Sequence, residues 1–171
     1  MNIAWLGEAA CHDLESVGGK AANLSRLAAD HTVPPGFCLT TDAFKASLDG
    51  QHSIVPTLPE QIAIELERAC AKLASRSHEP FSVAVRSSAV DEDGFGDSFA
   101  GQHDTYLNVT CNEGVKSAVQ RCWESAFSNQ ALAYRKERGL SSEDVQLAVL
   151  VQQLVRADTS AVIFSTNPIT G

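Results

Sequence analysis

Two glycines and a lysine, Gly18-Gly19-Lys20, open a stretch with helical spacing and could bind an anion. Glycines let the backbone approach a ligand closely, and a helix N-terminus directs free N–H groups toward negative charge. Lys20 would add a positive charge beside a phosphate. The segment is not a Walker A loop, which needs glycine in place of Leu14 and Ser or Thr in place of Ala21. Alone, the three residues favour a glycine turn with a solvated lysine.

A second candidate is Arg86-Ser87-Ser88, at the end of an alternating apolar strand over residues 81–85. The planar guanidinium of an arginine at a strand end can hold two phosphate oxygens, and the hydroxyl groups add donors. The alternative pairs Arg86 with one of the acids at residues 91–93, since structural ion pairs are common. Spacing alone leaves the two interpretations about even.

Residues 91–101 are rich in acids and glycines, which invites a calcium-loop interpretation. The EF-hand pattern fails, because Phe95 stands where the fifth position needs an oxygen ligand and Gln102 stands where the twelfth needs Glu. We therefore predict a glycine-rich flap of the kind that closes over phosphates. The alternative is a solvated acidic loop, against which Phe95 and Phe99 count.

Gln152 interrupts an apolar strand and needs a hydrogen-bond partner. An adenine edge could serve, although a backbone group within the core is the more common partner. None of the five histidines lies in an arrangement typical of nucleophilic catalysis. No close Cys/His pairs indicate a zinc site.

Composition excludes several classes of function. The formal net charge of −8 argues against non-specific nucleic-acid binding and against docking on anionic membranes. The N-terminus has no basic, apolar leader, and no apolar run is long enough to span a membrane. Five scattered cysteines without a CxxC pair indicate reduced, buried thiols, as in a cytoplasmic protein.

These groups would be positioned by a mixture of helices and strands, and we expect one α+β domain. A turn is predicted over residues 16–20. The helix starting near Pro59 has an apolar stripe of Ile62, Leu66, Ala69, Cys70 and Leu73, and Gly139 should end the last helix. Periodicity predicts helices over 21–29, 41–48, 59–73, 113–127 and 130–138, and strands over 3–6, 37–39, 81–87, 102–109, 146–155 and 161–165.

Four sequence motifs, in order along nearly the whole chain, resemble those of one family. They are SVGGKAANL at 16–24 ("GGKxANL"), VPPGF at 33–37, the block at 83–102 ("VRSSAxxED…SFAGQ"), and 151–152 with 164–171 ("VQ…FTxNPxTG"). The sequence is similar to the nucleotide-binding domain of phosphoenolpyruvate synthase, pyruvate phosphate dikinase and rifampin phosphotransferase. The resemblance implies an ATP-grasp-like fold with a mixed, mainly antiparallel sheet, flanking helices and ATP between two lobes.

The resemblance also implies roles for individual residues. Lys20 and Arg86 would contact the ATP phosphates. Gly101 in the flap and Thr105 in the following strand would line the phosphate site, and Gln152 would lie close to the nucleotide. No catalytic or metal-binding residue is expected in this chain.

In the family, a phosphoryl group passes from ATP to a histidine on a separate domain, which then serves a substrate domain. We expect residues 1–171 to be the N-terminal part of the nucleotide-binding domain, with Mg²⁺ bound only when a further C-terminal lobe is present. The partners expected are ATP and the phosphohistidine and substrate domains, and the chain alone should not turn over. The alternatives are a stand-alone interaction or regulatory module, and a piece of a longer gene product.

Overall fold

The computed structural model describes residues 1–48, 56–76, 81–90, 105–111, 113–137, 139, 141, 145–161, 163 and 166. After a 3-10 turn at Ala9–His12, the helices are α1 (Leu14–Leu27), α2 (Thr41–Leu48), α3 (Glu60–Ala74), α4 (Glu113–Ser125) and α5 (Asn129–Glu137). The strands are β1 (Ile3–Trp5), β2 (Gly36–Leu39), β3 (Val83–Ala89), β4 (Thr105–Val109) and β5 (Leu147–Gln153).

The strands form one five-stranded sheet in the order β1-β2-β5-β3-β4. Every pairing is antiparallel, so the predicted helix-flanked, mainly antiparallel sheet is confirmed. β5, the last strand in sequence, lies at the centre and pairs with both β2 and β3. Its first six residues are buried, as expected of a strand covered on both faces.

Two layers of helix cover the sheet. On one face α1 packs through small side chains, Val17, Ala21 and Ala22, against Cys38 and Leu150. On the other face α2, α3 and α4 enclose the larger core, which includes Phe37, Leu39, Val83, Val85, Val149 and Val151 of the sheet. Small residues let α1 approach the sheet closely, which matters for the site below.

The sequence predictions for these elements are mostly confirmed. All five residues of the predicted α3 stripe are buried. Gly139 has a φ of 69°, the left-handed conformation that commonly follows a helix C-terminus. The turn predicted over 16–20 is too long, because α1 already begins at Leu14, but the helix is interrupted within it at Gly18. The strand predicted over 161–165 is wrong at its two described members, Ala161 and Ile163, which lie outside any strand. No helix of the described chain is long and apolar enough to cross a membrane.

Trp123 is the largest fully buried side chain of the described core, and its indole N–H has no hydrogen-bond partner among the described residues. A buried, unsatisfied donor costs about 1–3 kcal/mol, which offsets part of the packing gained from the larger ring. We therefore expect Trp123→Phe to change the free energy of unfolding by no more than about 1 kcal/mol, while Trp123→Ala costs about 3–5 kcal/mol. Urea denaturation measures both. If Trp123→Phe lowers the free energy of unfolding about as much as Trp123→Ala does, the indole N–H has a hydrogen-bond partner.

Candidate functional site

Strand alternation places Arg86 and Gln152 on the face of the sheet that α1 covers. Arg86 lies directly opposite Leu150 of β5, which packs under α1, and opposite Thr105 of β4. Gln152 is two residues from Leu150 and therefore shares its face. Diagonal neighbours of this kind are about 7–8 Å apart. Three of the residues predicted from sequence thus occupy one surface of the sheet.

The break in α1 brings Lys20 to the same surface. Gly18 has a φ of 72° and a ψ of 171°, a combination open essentially only to glycine. A Cβ there would overlap the Ser88 carbonyl oxygen and lie 2.7 Å from its Oγ. The Ser88 Oγ accepts a hydrogen bond from the Ala21 N–H at 3.2 Å, as a helix-capping hydroxyl does. Lys20, half-buried in the first turn after the break, is therefore held beside the end of β3.

Ser88 was predicted from sequence as a possible phosphate donor, but the structure gives it a different task. It is fully buried, and its Oγ is engaged by α1. Because Ser88 is two residues beyond Arg86 on the same face of β3, it connects the Lys20 turn to the Arg86 strand. Sequence analysis identified both motifs, Gly18-Gly19-Lys20 and Arg86-Ser87-Ser88. Their spacing in sequence does not show that they are in contact.

Arg86 has no visible counter-ion in the part of the chain that the structure describes. Its side chain is half-buried, and it forms no hydrogen bond or ion pair with a described residue. A partly desolvated guanidinium is normally compensated by an anion. The acids at residues 91–93, which were the alternative partners, lie outside the described residues. Both the ion pair with those acids and the contact with a phosphate therefore stay predictions.

Gln152 is oriented by the turn that precedes β2. Its amide nitrogen donates a hydrogen bond of 3.0 Å to the Pro34 carbonyl oxygen. Gly36 lies directly opposite, and a Cβ there would come within 2.6 Å of the Val151 carbonyl oxygen. The backbone partner considered as an alternative to adenine therefore exists. With the nitrogen engaged, the amide oxygen is the atom of Gln152 that can accept a hydrogen bond from a ligand.

Of the remaining predicted site residues, the structure describes Thr105. Thr105 is the first residue of β4 and is exposed beside Arg86. Gly101 and the predicted flap at 91–100 fall outside the described residues. Their roles, like those of Lys20, Arg86 and Gln152, stay predictions.

The thiols beneath α1 are unsuited to nucleophilic chemistry. Burial raises the pKa of the Cys11 thiol to about 11 and raises the pKa of Cys38 well above its usual range. Both are therefore protonated near neutral pH and pack as small apolar groups. All five cysteines are free thiols. Among the described residues no group of three His, Cys, Asp or Glu side chains could hold a metal ion.

The described fold is an α+β domain with Arg86 half-buried on the face of the sheet that α1 covers. Comparison with known proteins identifies the class more closely. Residues 51–171 match the family model described as pyruvate phosphate dikinase, AMP/ATP-binding domain. The chain belongs to this family.

Relatives with different names share the domain. The chain is 38% identical to rifampicin phosphotransferase of Streptomyces sviceus, over 91% of this chain and 21% of the relative. It is 35% identical to a probable phosphoenolpyruvate synthase of Staphylothermus marinus, over 99% of this chain and 24% of the relative. It is 36% identical to prodigiosin synthesizing transferase PigC of Serratia marcescens, over 91% of this chain and 19% of the relative. The chain thus spans about a quarter or less of the length of these relatives.

Proposed function

We propose that this chain is the ATP-binding part of a phosphotransferase that passes a phosphoryl group from ATP to a histidine on a separate domain. The observation that carries the proposal is Arg86, a half-buried cation without a described partner, on the same surface as Lys20. A guanidinium and an ammonium beside a glycine-broken helix N-terminus form a site for a polyphosphate. The family model, described as an AMP/ATP-binding domain, supports ATP as the nucleotide.

Each predicted site residue has a place in this proposal. Arg86 would grip two phosphate oxygens through its planar guanidinium, and Lys20 would neutralise charge on the same chain of phosphates. Thr105 and Gly101 would line the phosphate end. Gln152, on the β2 side of Arg86, would accept a hydrogen bond from the nucleoside through its amide oxygen. Phosphoryl transfer depends on such positioning and charge stabilisation rather than on covalent help from the protein.

Residues 1–171 would form the N-terminal part of an ATP-grasp-like nucleotide-binding domain. As the resemblance implies, magnesium would be held by carboxylates of a further lobe together with the ATP phosphates. The phosphohistidine and substrate domains would be further partners, and the acceptor would be chosen there. ATP use and five free thiols support a cytoplasmic setting.

Calorimetric titration of the chain with ATP, and separately with adenosine, tests the proposal. We expect weak ATP binding, since half of the nucleotide site would be contributed elsewhere. Lys20→Ala should weaken ATP binding about tenfold, the effect of removing about 1.4 kcal/mol of charge-assisted contact. Adenosine, which has no phosphate, should bind wild type and variant equally. Absence of any ATP signal at millimolar concentration in wild type would contradict independent binding by this chain.

A further inference from the structure

A groove lies between α3 and β1, on the face of the sheet opposite α1. Its volume is about 260 Å³, and its described lining is Ile3, Trp5, Glu65, Arg68, Ala69 and Lys72. α3 packs on the face with the larger core, whereas Arg86 and Gln152 face α1. The groove is therefore separate from the proposed nucleotide site.

Three cations follow the groove side of α3. Arg68 and Lys72 are four residues apart and so lie along one side of the helix, and Arg76 lies in the turn just beyond its C-terminus. The Lys72 Nζ lies 4.2 Å from the centroid of the Trp5 ring, and the Arg76 Cζ lies 5.5 Å from it. The helix dipole favours cations near a C-terminus, but it does not account for two cations converging on one indole.

These cations have no carboxylate partner within the described part of the chain. Lys116, by contrast, is paired with both Glu67 and Glu113. The one acid in the described groove lining, Glu65, has its carboxylate held by the Asn2 side-chain amide at 3.2 and 3.3 Å. A local excess of positive charge therefore persists in a chain whose net charge is −8.

The groove also lies beside the edge of β1, which is open at Ile3 in the described sheet, whereas the Trp5 carbonyl oxygen accepts a hydrogen bond from the Glu8 N–H at 3.1 Å. β1 is the outermost strand on its side of the described sheet. The Asn2 carbonyl oxygen and the Leu6 N–H are bonded on the β2 side, to Thr40 and Gly36 respectively. Antiparallel alternation then directs the N–H and C=O of Ile3 away from β2, toward the outer edge of the sheet beside the groove. An unpaired edge of this kind accepts an added strand.

We propose that this groove binds an extended acidic segment of a separate partner protein. The segment adds a strand to β1 through the backbone of Ile3, which provides the main-chain hydrogen bonds. Every second side chain of the segment carries a carboxylate that faces Arg68, Lys72 and Arg76. The aliphatic carbons of these side chains lie against Trp5. Charge complementarity and the open edge, two independent features, favour the same occupant.

Trp5 provides the readout. In the Trp123→Phe background Trp5 is the only tryptophan, so its fluorescence reports on the groove alone. The probes are a capped peptide of alternating glutamate and valine, and a matched peptide with glutamine in place of glutamate. We expect the acidic peptide to shift Trp5 emission and to bind at least tenfold more tightly than the glutamine peptide. The Ile3 amide should become protected from hydrogen exchange only when the acidic peptide is present.

A charge-reversed pair of variants completes the test. Arg68→Glu/Lys72→Glu should abolish the shift, whereas Lys45→Glu/Lys136→Glu, with the same change in net charge outside the described groove lining, should retain binding. ATP affinity should not change in either. Equal binding of both peptides, equal loss in both double variants, or Ile3 exchange unaltered by the acidic peptide would overturn the proposal. So would concentration-dependent dimerisation that Arg68→Glu/Lys72→Glu eliminates, because a second copy would then occupy the groove.

Discussion

Replacing Arg86 with alanine is expected to weaken ATP binding at least about 100-fold, because two hydrogen bonds to charged groups contribute at least about 3 kcal/mol together. The guanidinium is half-buried on the α1 face, where no described residue compensates it. Removing it leaves the ligand phosphates without their planar donor. Stability should change little, since no described hydrogen bond is lost. Calorimetry with ATP and urea denaturation measure the two effects separately.

Two further variants sharpen this prediction. Arg86→Lys keeps the charge but loses the paired donors, so its affinity should fall between wild type and Arg86→Ala. Arg135 provides a matched control, because it is a buried arginine that has a partner. Its Nε and Nη2 donate hydrogen bonds to the Ser141 carbonyl oxygen at 3.0 and 2.9 Å. Arg135→Ala should cost about 1–3 kcal/mol of stability and leave ATP affinity unchanged. If Arg86→Ala instead lowers stability and spares binding, Arg86 has a structural role.

Gly18→Ala is the substitution with the largest expected effect on the fold around the site. The backbone conformation of Gly18 costs other residues about 1–3 kcal/mol, and the added Cβ would also overlap the Ser88 carbonyl oxygen. We expect the free energy of unfolding to fall by about 3 kcal/mol or more as α1 moves away from β3. Because Lys20 and the Ala21 N–H move with α1, ATP binding should be lost as well.

Gly139→Ala separates the two causes. Gly139 also has a positive φ, 69°, but an added Cβ would meet nothing within 4 Å among its surroundings. Its substitution should therefore cost only the conformational part, about 1 kcal/mol, and should leave ATP affinity intact. The difference between the two variants, measured by urea denaturation, isolates the close approach of α1 to β3. Equal losses would show that Gly18 matters only for its φ and ψ.

Local periodicity predicted the helices well and the packing between them not at all. The α3 stripe could be read directly, because burial on one side of a helix imposes a 3.6-residue spacing on the sequence. The glycine turn predicted over 16–20 contains the α1 break at Gly18, but its contact with Ser88, 70 residues away in sequence, could not be read from the sequence. The central place of β5 was equally hidden, since antiparallel pairing does not require strands to be neighbours in the chain.

The candidate site, too, could be predicted from the sequence only in part. Arg86 and Gln152 stood out because each is a polar residue in an apolar strand, and alternation along the strands puts them on one face. That Gln152 is held by Pro34 depends on the pairing of β2 with β5, which motifs alone do not reveal. The groove beside Trp5 was missed, because its cations read as the ordinary polar side of an amphipathic helix.

The position of β5 also determines when the protein can fold during synthesis. β1 pairs with β2, and β3 pairs with β4, but only β5 joins the two pairs into one sheet. Until residues 147–153 have been translated, the inner edges of β2 and β3 are open, and every residue of β2 is destined for burial. Open apolar edges are prone to aggregation. The nascent chain should therefore depend most on chaperones until residue 153 has been synthesised, and a stop before residue 147 should yield insoluble product.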